Sequence, residues 1–382
     1  MRQSPGPVPA QVLAAYGFSP DDNVETIADG LINQTHVVRQ GGVARAVIQR
    51  LHPIFAAEVN IDLDRVTRHI ARAGLDTPLL LRTRDGARWV AVSDPTESTD
   101  RPNSRPRDRA DGAEAGADKP VIWRALTYLE GSTIHCLAGR ESARSAGALV
   151  GSFHRALADF DHDYVFTRVG AHDTAGHLAR LRRALTGRVS PERESTRAVG
   201  DAALRADAHR LGGEILAMAS DLPVLGDLPL RHSHGDLKIS NVLFYPGDVT
   251  RARCLIDLDT LGLQTIAYEL GDAMRSWCNR QGEDAARPEV DETLFAAAMD
   301  GYRSTIGNLL GDSEWASIVP GWQTVCIELS ARFCVDIFDD SYFGWDSTRF
   351  ATRGEHNLVR ARSQLVLARS VRDKRDLLAN MV

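Results

Sequence analysis

The sequence predicts an α+β protein with two lobes: a small N-terminal lobe built on an antiparallel sheet and a larger, mainly helical C-terminal lobe. Two observations predict it. Strand-like segments enclose one helix-like segment between residues 24 and 92, which is the order of a small sheet with a helix packed on it. From residue 141 onward, apolar residues recur instead at the spacing of helices. A chain of 382 residues is long enough to bury two such cores.

The small lobe begins with two strands in residues 24–51. Gly41-Gly42 lies between their apolar runs and is a typical hairpin turn signal. A helix is predicted over 55–73, where apolar side chains recur at helical spacing before Gly74. Three further strands are predicted, at 78–83, 87–92 and 121–126.

Residues 94–119 interrupt this pattern. They are rich in Pro, Asp, Arg, Ser, Gly and Ala and lack large apolar side chains, so they cannot bury enough surface to offset the entropy cost of ordering. We interpret them as a flexible insertion. The lobes are then residues 1–126 and 127–382. The helices predicted in the second lobe are 141–160, 173–186, 196–220, 266–280, 292–310, 314–338 and 355–380.

Composition excludes several kinds of protein. The apolar content of 43% and the charged content of 25% are ordinary for a soluble globular chain, and a net charge of −6 gives no support to nucleic-acid or membrane partners. No apolar run approaches the length of a membrane span or a signal peptide. The five scattered cysteines favour reduced thiols. We expect a cytoplasmic monomer or weak dimer.

The most informative segment is residues 231–244. It contains the pattern His-x-Asp-Leu-Lys-x-x-Asn, which is the pattern of the catalytic loop of kinases. The Asp, Lys and Asn of the pattern are Asp236, Lys238 and Asn241. Asp236 is predicted to receive the proton of the attacking hydroxyl, and Lys238 to stabilise charge on the γ-phosphate. Asn241 offers an oxygen ligand for Mg²⁺. The competing interpretation is a polar turn in which Asp236 caps a helix.

A second carboxylate follows sixteen residues after the Asn. Asp257 comes directly after the apolar strand Cys254-Leu-Ile256, where its side chain can emerge at a strand end and share the metal with Asn241. Asp259 either joins the metal ligands or caps the next turn. For Asp272, at a predicted helix start, we favour a structural role in which it bonds the catalytic-loop backbone.

The small lobe contains the candidate nucleotide-binding residues. Gly30 allows close approach of the backbone to phosphates, and Asn33 and Thr35 supply hydrogen-bond donors in the same turn. A plain hairpin is the alternative.

The next strand should carry a cation for the α- and β-phosphates. Strand register instead puts Gln49 at that position, with Arg50 facing the opposite way. Either a bulge turns Arg50 inward, or Gln49 binds phosphate without charge. Glu58 and Asn60 are alternative partners on the following helix.

The acceptor is expected to bind to the helical lobe. Glu328, Arg332 and Asp336 recur every four residues and therefore share a helix face, with Tyr342 shortly after them. A sugar needs such polar groups beside an aromatic wall, for which Trp322, Phe343 and Trp345 are also candidates. The alternative is a solvated face of ion pairs. An aminoglycoside would favour an acidic pocket, for which the candidate residues are Asp336, Asp339, Asp340 and Asp346.

On these motifs the chain resembles the aminoglycoside phosphotransferase/choline kinase superfamily, and within it the N-acetylhexosamine 1-kinase-like branch. The resemblance runs in order from about residue 30 to 345. The matching segments are 32–35, 47–51, 123–124, 128–130, 172–174, 228–244, 256–260, 271–275, 328, 332–333, 336, 340 and 342–343.

The resemblance implies a bilobal protein-kinase-like fold and an enzyme that uses ATP and Mg²⁺ to phosphorylate a hydroxyl of a small molecule. The branch implies a sugar such as an N-acetylhexosamine, phosphorylated at its anomeric hydroxyl, and a Gln followed by Arg is usual on its third strand. Two departures from the branch, in the residues around Asp236 and at Leu31, leave aminoglycoside, choline, thiamine or homoserine acceptors open. GTP in place of ATP also stays open, as does a catalytically silent nucleotide-binding module.

Overall fold

The computed structural model describes residues 6–27, 33–93, 120–167, 170, 172–187, 199–340 and 342–382. They form two compact units. The small unit is Met1–Arg68 with Pro78–Leu129, and the large unit is His69–Thr77 with Glu130–Val382. The predicted insertion at 94–119 and the predicted phosphate-turn residue Gly30 lie outside the described residues. The predicted lobe limit at residue 126 stays a proposal.

The small unit contains an antiparallel sheet. Its strands are β1 (Asn23–Ile27), β2 (Gln34–Gln40), β3 (Val43–Arg50), β4 (Val90–Val92) and β5 (Val121–Thr127). Within the described ranges their order is β1-β2-β3-β5-β4. The predicted hairpin between β2 and β3 is confirmed, and Gly41 and Gly42 have φ values of 57° and 81°. Two consecutive positive φ values are the reason for the Gly-Gly pair.

Helices α1 (Ala10–Ala15) and α2 (Val59–Arg72) accompany the sheet. The sequence predicts α2 but not α1, which has only six residues and follows a segment rich in proline. Val12 and Leu13 of α1 join one apolar cluster with Val38, Ile48 and Trp123 of the sheet. Burial of apolar surface is therefore what attaches α1 to the strands.

The predicted strand at 78–83 is wrong. Leu80 forms an isolated bridge with Leu126, and the neighbouring bonds involve only residues 79 and 81. The same edge of β5 is used further along by β4, which pairs with residues 121–123. Because two short segments share that edge, neither can pair along its whole length, and the predicted strand at 87–92 shortens to Val90–Val92.

The large unit is mainly helical, as predicted. The final predicted helix, 355–380, divides into two at Lys374, which has φ −104° and ψ 11°. In the described ranges, the helices of the large unit are α3 (Arg140–Ala156), α4 (Thr174–Leu185), α5 (Val199–Ser220), α6 (Ile266–Trp277), α7 (Glu292–Ile306), α8 (Asp312–Asp339), α9 (Arg353–Asp373) and α10 (Arg375–Ala379).

Glycines allow two helix pairs of the large unit to approach closely. A Cβ on Gly147 of α3 would collide with the main-chain oxygen of Ala298 on α7, and one on Gly301 with that of Arg144. Between α6 and α8, Gly271 and Gly321 have the same role. Any larger residue at these positions would push the helices apart.

Two short β-ribbons enclose the predicted catalytic motif. In one, β6 (Arg231–Ser233) pairs with β9 (Gly262–Gln264), and in the other, β7 (Val242–Tyr245) pairs with β8 (Asp248–Leu255). The motif connects β6 to β7, and Asp257 follows the end of β8. The two ribbons therefore bring the motif and Asp257 to the same part of the large unit.

The predicted fold class, a small sheet lobe and a helical lobe, is confirmed. No described helix combines the length and the apolar character needed to cross a bilayer. All five cysteines are unpaired thiols; Cys136 is exposed and the other four are buried. Burial raises the pKa of Cys254 to about 12, so this thiol stays protonated and serves as core packing.

Candidate active site

The predicted catalytic loop is the connection between β6 and β7, and it ends in a single turn of 3-10 helix, Ile239–Asn241. Gly235 has a φ of 78°, and a Cβ there would collide with the main-chain oxygen of Thr260. Thr260 Oγ1 donates a hydrogen bond to the main-chain oxygen of His234 at 2.8 Å. The loop thus packs against the segment that follows Asp257, and glycine is required at position 235.

Three of the predicted catalytic and metal-binding side chains meet in this loop. Lys238 Nζ lies 2.8 Å from Asp236 Oδ2. Asn241 Nδ2 donates to the main-chain oxygen of Asp236 at 2.8 Å and to Oδ2 at 3.1 Å. Burial opposes ionisation of Asp236, but the adjacent Lys238 ammonium outweighs it and holds the pKa of the carboxyl below its ordinary value. Asp236 is therefore an ionised carboxylate held from two sides.

Asp257 adds a second carboxylate to this group. Its backbone is left-handed, with φ 63° and ψ 53°, which is uncommon for a residue other than glycine. Burial and then the charge of Asp259 raise the pKa of Asp257 to about 6, against the opposing effect of Lys238. Burial lowers the pKa of Lys238, but the charges of Asp236 and Asp257 prevail and raise it. The four predicted residues therefore form one electrostatic group.

The buried carboxylate that holds the catalytic loop is Glu269, and the structural role predicted for Asp272 is wrong. Glu269 Oε1 accepts from the main-chain N–H of His234 at 2.7 Å, and Oε2 accepts from that of Gly235 at 3.0 Å. Asp272 instead accepts from Arg275. Residues 269 and 272 share one face of α6, so their spacing cannot reveal which of them reaches the loop.

In the small unit, Gln49 binds an arginine that the sequence prediction omits. Arg124 lies opposite Gln49 in the register of β3 and β5. Its Nε and Nη2 donate to Gln49 Oε1 at 2.9 Å and 2.7 Å. Arg124 is 1% exposed. An arginine within the apolar run of residues 121–126 is the signal that could have identified it.

The bulge that would turn Arg50 inward is contradicted by the strand pairing. The pairing of β3 with β5 is regular up to Arg50, and the irregularity between β2 and β3 lies at Val38 and Arg39. Gln49 and Arg50 therefore point to opposite faces of the sheet. Gln49 keeps the position expected for the cation, and a role for Arg50 in nucleotide binding stays a proposal.

The other small-unit candidates lie close to Gln49 in the sheet or on α2. Gln49 Nε2 donates to Thr35 Oγ1 at 3.2 Å. Arg124 Nη1 lies 3.4 Å from Asn60 Oδ1, whereas Glu58 is exposed, so Asn60 is the helix residue that faces this group. Asn33 Oδ1 accepts from the main-chain N–H of His52 at 2.9 Å.

Asp336, predicted to bind the acceptor directly, is engaged by the protein itself. Its Oδ1 accepts from the main-chain N–H of Tyr342 at 2.8 Å, and its Oδ2 from that of Phe343 at 2.9 Å and from Asn357 Nδ2 at 2.9 Å. Helix α8 ends at Asp339, and the main-chain donors beyond it need an acceptor. Asp336 therefore positions residues 342 and 343, and its predicted contact with the acceptor stays a proposal.

Arg332 and Tyr342, the other predicted acceptor residues, do lie together. The guanidinium of Arg332 is 5.8 Å from the ring centre of Tyr342 and 5.6 Å from that of Phe343, within the range of cation–π contact. Arg332 Nη1 is also 3.9 Å from Glu328 Oε1. Trp322 is 0% exposed and stacks on a core phenylalanine, so its predicted place in an aromatic wall is wrong.

Glu328 belongs to a buried polar cluster that the sequence prediction includes only in part. Its Oε1 is 3.2 Å from His172 Nδ1, and its Oε2 accepts from Thr174 Oγ1 at 2.9 Å. Thr174 Oγ1 also lies 3.1 Å from Tyr268 OH, and the His172 ring stacks on Tyr268 with centroids 5.1 Å apart. The cluster joins residues 172–174 to α6 and α8. Only contact through space connects these segments, so no local pattern predicts it.

Three of the four acidic residues considered for an aminoglycoside pocket, Asp336, Asp340 and Asp346, have partners within the described part of the protein. Besides Asp336, Asp340 Oδ1 lies 3.6 Å from Arg353 Nη1. Asp346 Oδ1 accepts from the main-chain N–H and the hydroxyl of Thr348 at 2.9 Å and 2.6 Å. These pairings occupy acceptor positions that the ammonium groups of an aminoglycoside would otherwise use.

The protein combines a sheet-based small unit with a helical large unit. Its motif loop joins a carboxylate, an ammonium group and an amide. These features are those of a class of enzyme, the small-molecule kinases. The chain belongs to the phosphotransferase enzyme family, whose model matches residues 23–305. The match ends before α8 begins, so the candidate acceptor residues at 328–343 lie beyond it.

Solved structures of small-molecule kinases have similar folds. A microcompartment-associated aminopropanol kinase has a TM-score of 0.61 at 17% identity, covering 96% of this chain and 97% of its own. An amicoumacin kinase in complex with AMP-PNP, Ca²⁺ and Ami has a TM-score of 0.59 at 12% identity, covering 93% and 91%. An aminoglycoside phosphotransferase from Alicyclobacillus acidocaldarius has a TM-score of 0.58 at 16% identity, covering 98% of both chains. At these identities the likeness concerns the fold alone.

Proposed function

We propose that the protein transfers the γ-phosphate of ATP to a hydroxyl of a small molecule, a sugar such as an N-acetylhexosamine. The observation that carries this proposal is the electrostatic group of Asp236, Lys238, Asn241 and Asp257, with Lys238 Nζ 2.8 Å from Asp236 Oδ2. A module that only binds nucleotide has no need of all four. Their joint presence therefore supports catalysis over a silent fold.

Asp236 has the properties of the base in this reaction. It is ionised at neutral pH because Lys238 lowers its pKa, so it can accept a hydrogen bond from the acceptor hydroxyl and orient the oxygen. As the bond between that oxygen and the γ-phosphorus forms, the bond to the β,γ-bridging oxygen breaks and ADP leaves. The hydroxyl proton passes to the Asp236 carboxylate, and Lys238 stabilises the charge on the transferred phosphate.

The donor groups fit a divalent cation that is shared with nucleotide. No group of three or more His, Cys, Asp and Glu side chains among the described residues is arranged to hold a metal by itself. Asn241 and Asp257 offer hard oxygen ligands, and Mg²⁺ commonly takes one or two such ligands and completes its shell with phosphate oxygens and water. A bound Mg²⁺ would neutralise phosphate charge. The crowding of Asp257 by Asp259, which raises its pKa, is the kind of repulsion that a cation relieves.

We propose that residues of the small unit bind the phosphates of ATP. Thr35 and Gln49 form one hydrogen-bonded pair, and Arg124 supplies positive charge beside it. The amicoumacin kinase with a similar fold was solved with AMP-PNP and Ca²⁺, which is consistent with a nucleotide and a divalent cation. Asn33 is proposed as a further contact of the phosphates.

A neutral, polyhydroxylated acceptor fits the large unit better than a polycation. Asp336, Asp340 and Asp346 have internal partners, and Arg332 adds positive charge beside Tyr342. Internal donors occupy part of these carboxylates, which leaves an aminoglycoside fewer oxygens for its ammonium groups. The anomeric hydroxyl of an N-acetylhexosamine therefore remains the proposed acceptor group.

The test is ADP release over a panel of sugars, aminoglycosides and amino alcohols, combined with the Asp236→Asn variant. We expect turnover of an N-acetylhexosamine by the wild-type enzyme and a loss of about a hundredfold to ten-thousandfold in kcat in the variant, with ATP binding retained. The matched control is Asp300→Asn, which alters an exposed carboxylate that pairs with Arg144. Undiminished turnover by Asp236→Asn would exclude the mechanism, and turnover of amino alcohols alone would exclude the sugar.

A further inference from the structure

One face of α6 lies against the catalytic loop along two helical turns. At one end, Glu269 accepts from the main-chain N–H of His234 at 2.7 Å. At the other end, Ser276 Oγ accepts from the main-chain N–H of Ile239 at 2.9 Å. Asp272 lies between them, three residues after the first and four before the second, and so occupies the same face. This spacing puts Asp272 beside the part of the loop that contains Asp236.

Asp272 has an oxygen with no partner in the described part of the chain. Arg275 donates to Oδ1 from Nη2 at 2.8 Å and from Nε at 3.1 Å. Oδ2 accepts no hydrogen bond there, although Asp272 is only 8% exposed. Buried carboxylate oxygens are nearly always hydrogen-bonded, so this one has the capacity to accept a hydrogen bond from a bound molecule.

The surroundings of Asp272 connect the catalytic loop to the polar cluster around Glu328. Tyr268, one turn earlier on α6, stacks on His172, whose Nδ1 faces Glu328. The charge of Asp272 contributes to raising the pKa of Lys238 on one side and of His172 on the other. Asp272 is therefore within electrostatic range of both the catalytic group and this cluster.

We propose that Asp272 is an acceptor-binding residue whose Oδ2 accepts a hydrogen bond from a neutral donor on the carbon next to the phosphorylated hydroxyl. This inference rests on the proposed sugar kinase function. In an N-acetylhexosamine that donor is the amide N–H at carbon 2, and in a plain hexose it is a hydroxyl. An ammonium group fits less well because Arg275 already neutralises the carboxylate and Lys238 adds a second positive charge nearby.

Four sugars that share the glucose ring and differ only in the group at carbon 2 test this inference: N-acetylglucosamine, glucose, 2-deoxyglucose and glucosamine. In the wild-type enzyme we expect kcat/KM to be at least about tenfold higher for the first two than for 2-deoxyglucose, because a site built around a hydrogen bond rejects the analogue that lacks it. Asp272→Asn replaces the accepting oxygen with a donor. It should raise KM for N-acetylglucosamine about tenfold and reduce the discrimination against 2-deoxyglucose to less than about threefold, while KM for ATP changes little.

The matched control is Glu283→Gln, which removes the other charged partner of Arg275 at 3.3 Å but leaves Asp272 intact. It should keep the wild-type discrimination. If Glu283→Gln reproduced the effect of Asp272→Asn, or if both KM values rose together, Asp272 would be structural only. A preference for glucosamine would also overturn the inference. If none of the four sugars were phosphorylated, the proposed sugar acceptor itself would be excluded. If the sugars were phosphorylated and Asp272→Asn kept the wild-type discrimination against 2-deoxyglucose, only the role of Asp272 would be excluded.

Discussion

Arg124 donates two hydrogen bonds, of 2.7 Å and 2.9 Å, to the side-chain oxygen of Gln49 on the neighbouring strand. This pair fixes the orientation of the Gln49 amide, because the oxygen must face the guanidinium and the nitrogen must face away from it. The nitrogen donates to Thr35. Gln49 can therefore be a neutral donor to phosphate, with the positive charge held behind it by Arg124.

Gln49→Glu tests this arrangement. The carboxylate would pair with Arg124 at least as well as the amide does, so the free energy of unfolding should not fall. It would also remove the donor and add negative charge, and KM for ATP should rise about tenfold or more. Urea unfolding and steady-state kinetics measure the two effects. As a control, Gln40→Glu changes the same residue type on β2, where the side chain contacts Asp22, and should leave KM for ATP unchanged. Equal KM values for the wild type and Gln49→Glu would contradict a role for Gln49 in phosphate binding.

Glu269→Gln should impair the catalytic loop. In the wild type, the main-chain N–H groups of residues 234 and 235 donate to different oxygens of the Glu269 carboxylate. The amide of glutamine would replace one of these oxygens with an NH₂ group, so that two donors would face each other. We expect a loss of about 3 kcal/mol in the free energy of unfolding and a fall of about tenfold or more in kcat of the folded enzyme. Asp291→Asn, which removes the ion pair with Arg280 but keeps a capping side chain for α7, is the control and should leave kcat unchanged. A variant with full kcat would show that the loop does not depend on Glu269.

The stability of the large unit should depend on pH through His172. Burial opposes protonation of His172, but the hydrogen bond and charge of Glu328, with a contribution from Asp272, raise its pKa above the ordinary 6.5 although Arg332 opposes them. These groups face the ring from α6 and α8, together with Tyr268. Because the folded pKa is the higher one, this stabilisation is fully present below pH 6.5 and is lost as pH rises through the folded value.

Glu328→Gln removes the main cause of that shift. Urea unfolding at pH 6, 7 and 8 should show that the loss of stability with rising pH is smaller in Glu328→Gln than in the wild type, and His172→Gln should flatten the profile in the same way. The slopes of unfolding free energy against pH are compared between the proteins, so the contribution of the other histidines, which is common to all of them, cancels. Identical slopes in all three proteins would mean that His172 does not titrate with folding in this range.

Two glycines on helices should respond in opposite ways to substitution by alanine. Gly147→Ala should destabilise the large unit by about 3 kcal/mol, because the added methyl group would collide with the backbone of α7. Gly213 of α5 has no atom within 4 Å of the position of an added Cβ, so Gly213→Ala should stabilise by about 0.5–1 kcal/mol through helix propensity. Thermal or urea unfolding checks both, and equal effects would contradict the close packing of α3 on α7.

The fold class, most helices, the β2–β3 hairpin and the catalytic motif could be predicted from the amino-acid sequence alone. These features depend on local rules: the period of apolar residues, paired glycines at a turn, and polar residues at fixed offsets between strands. The motif also led to the class of enzyme, because Asp236, Lys238 and Asn241 lie within six residues of one another and only a short loop is needed to join them.

Which side chains are partners across the chain became known from the packing of strands and helices. Arg124 rather than Arg50 supplies the charge beside Gln49, Glu269 rather than Asp272 holds the catalytic loop, and Asp336 binds the backbone after α8. In each case the sequence contained several residues of suitable chemistry at suitable spacing. The choice among them depends on how strands pair and helices pack, and hydrogen bonds form only over distances of about 3 Å, which spacing along the chain does not specify.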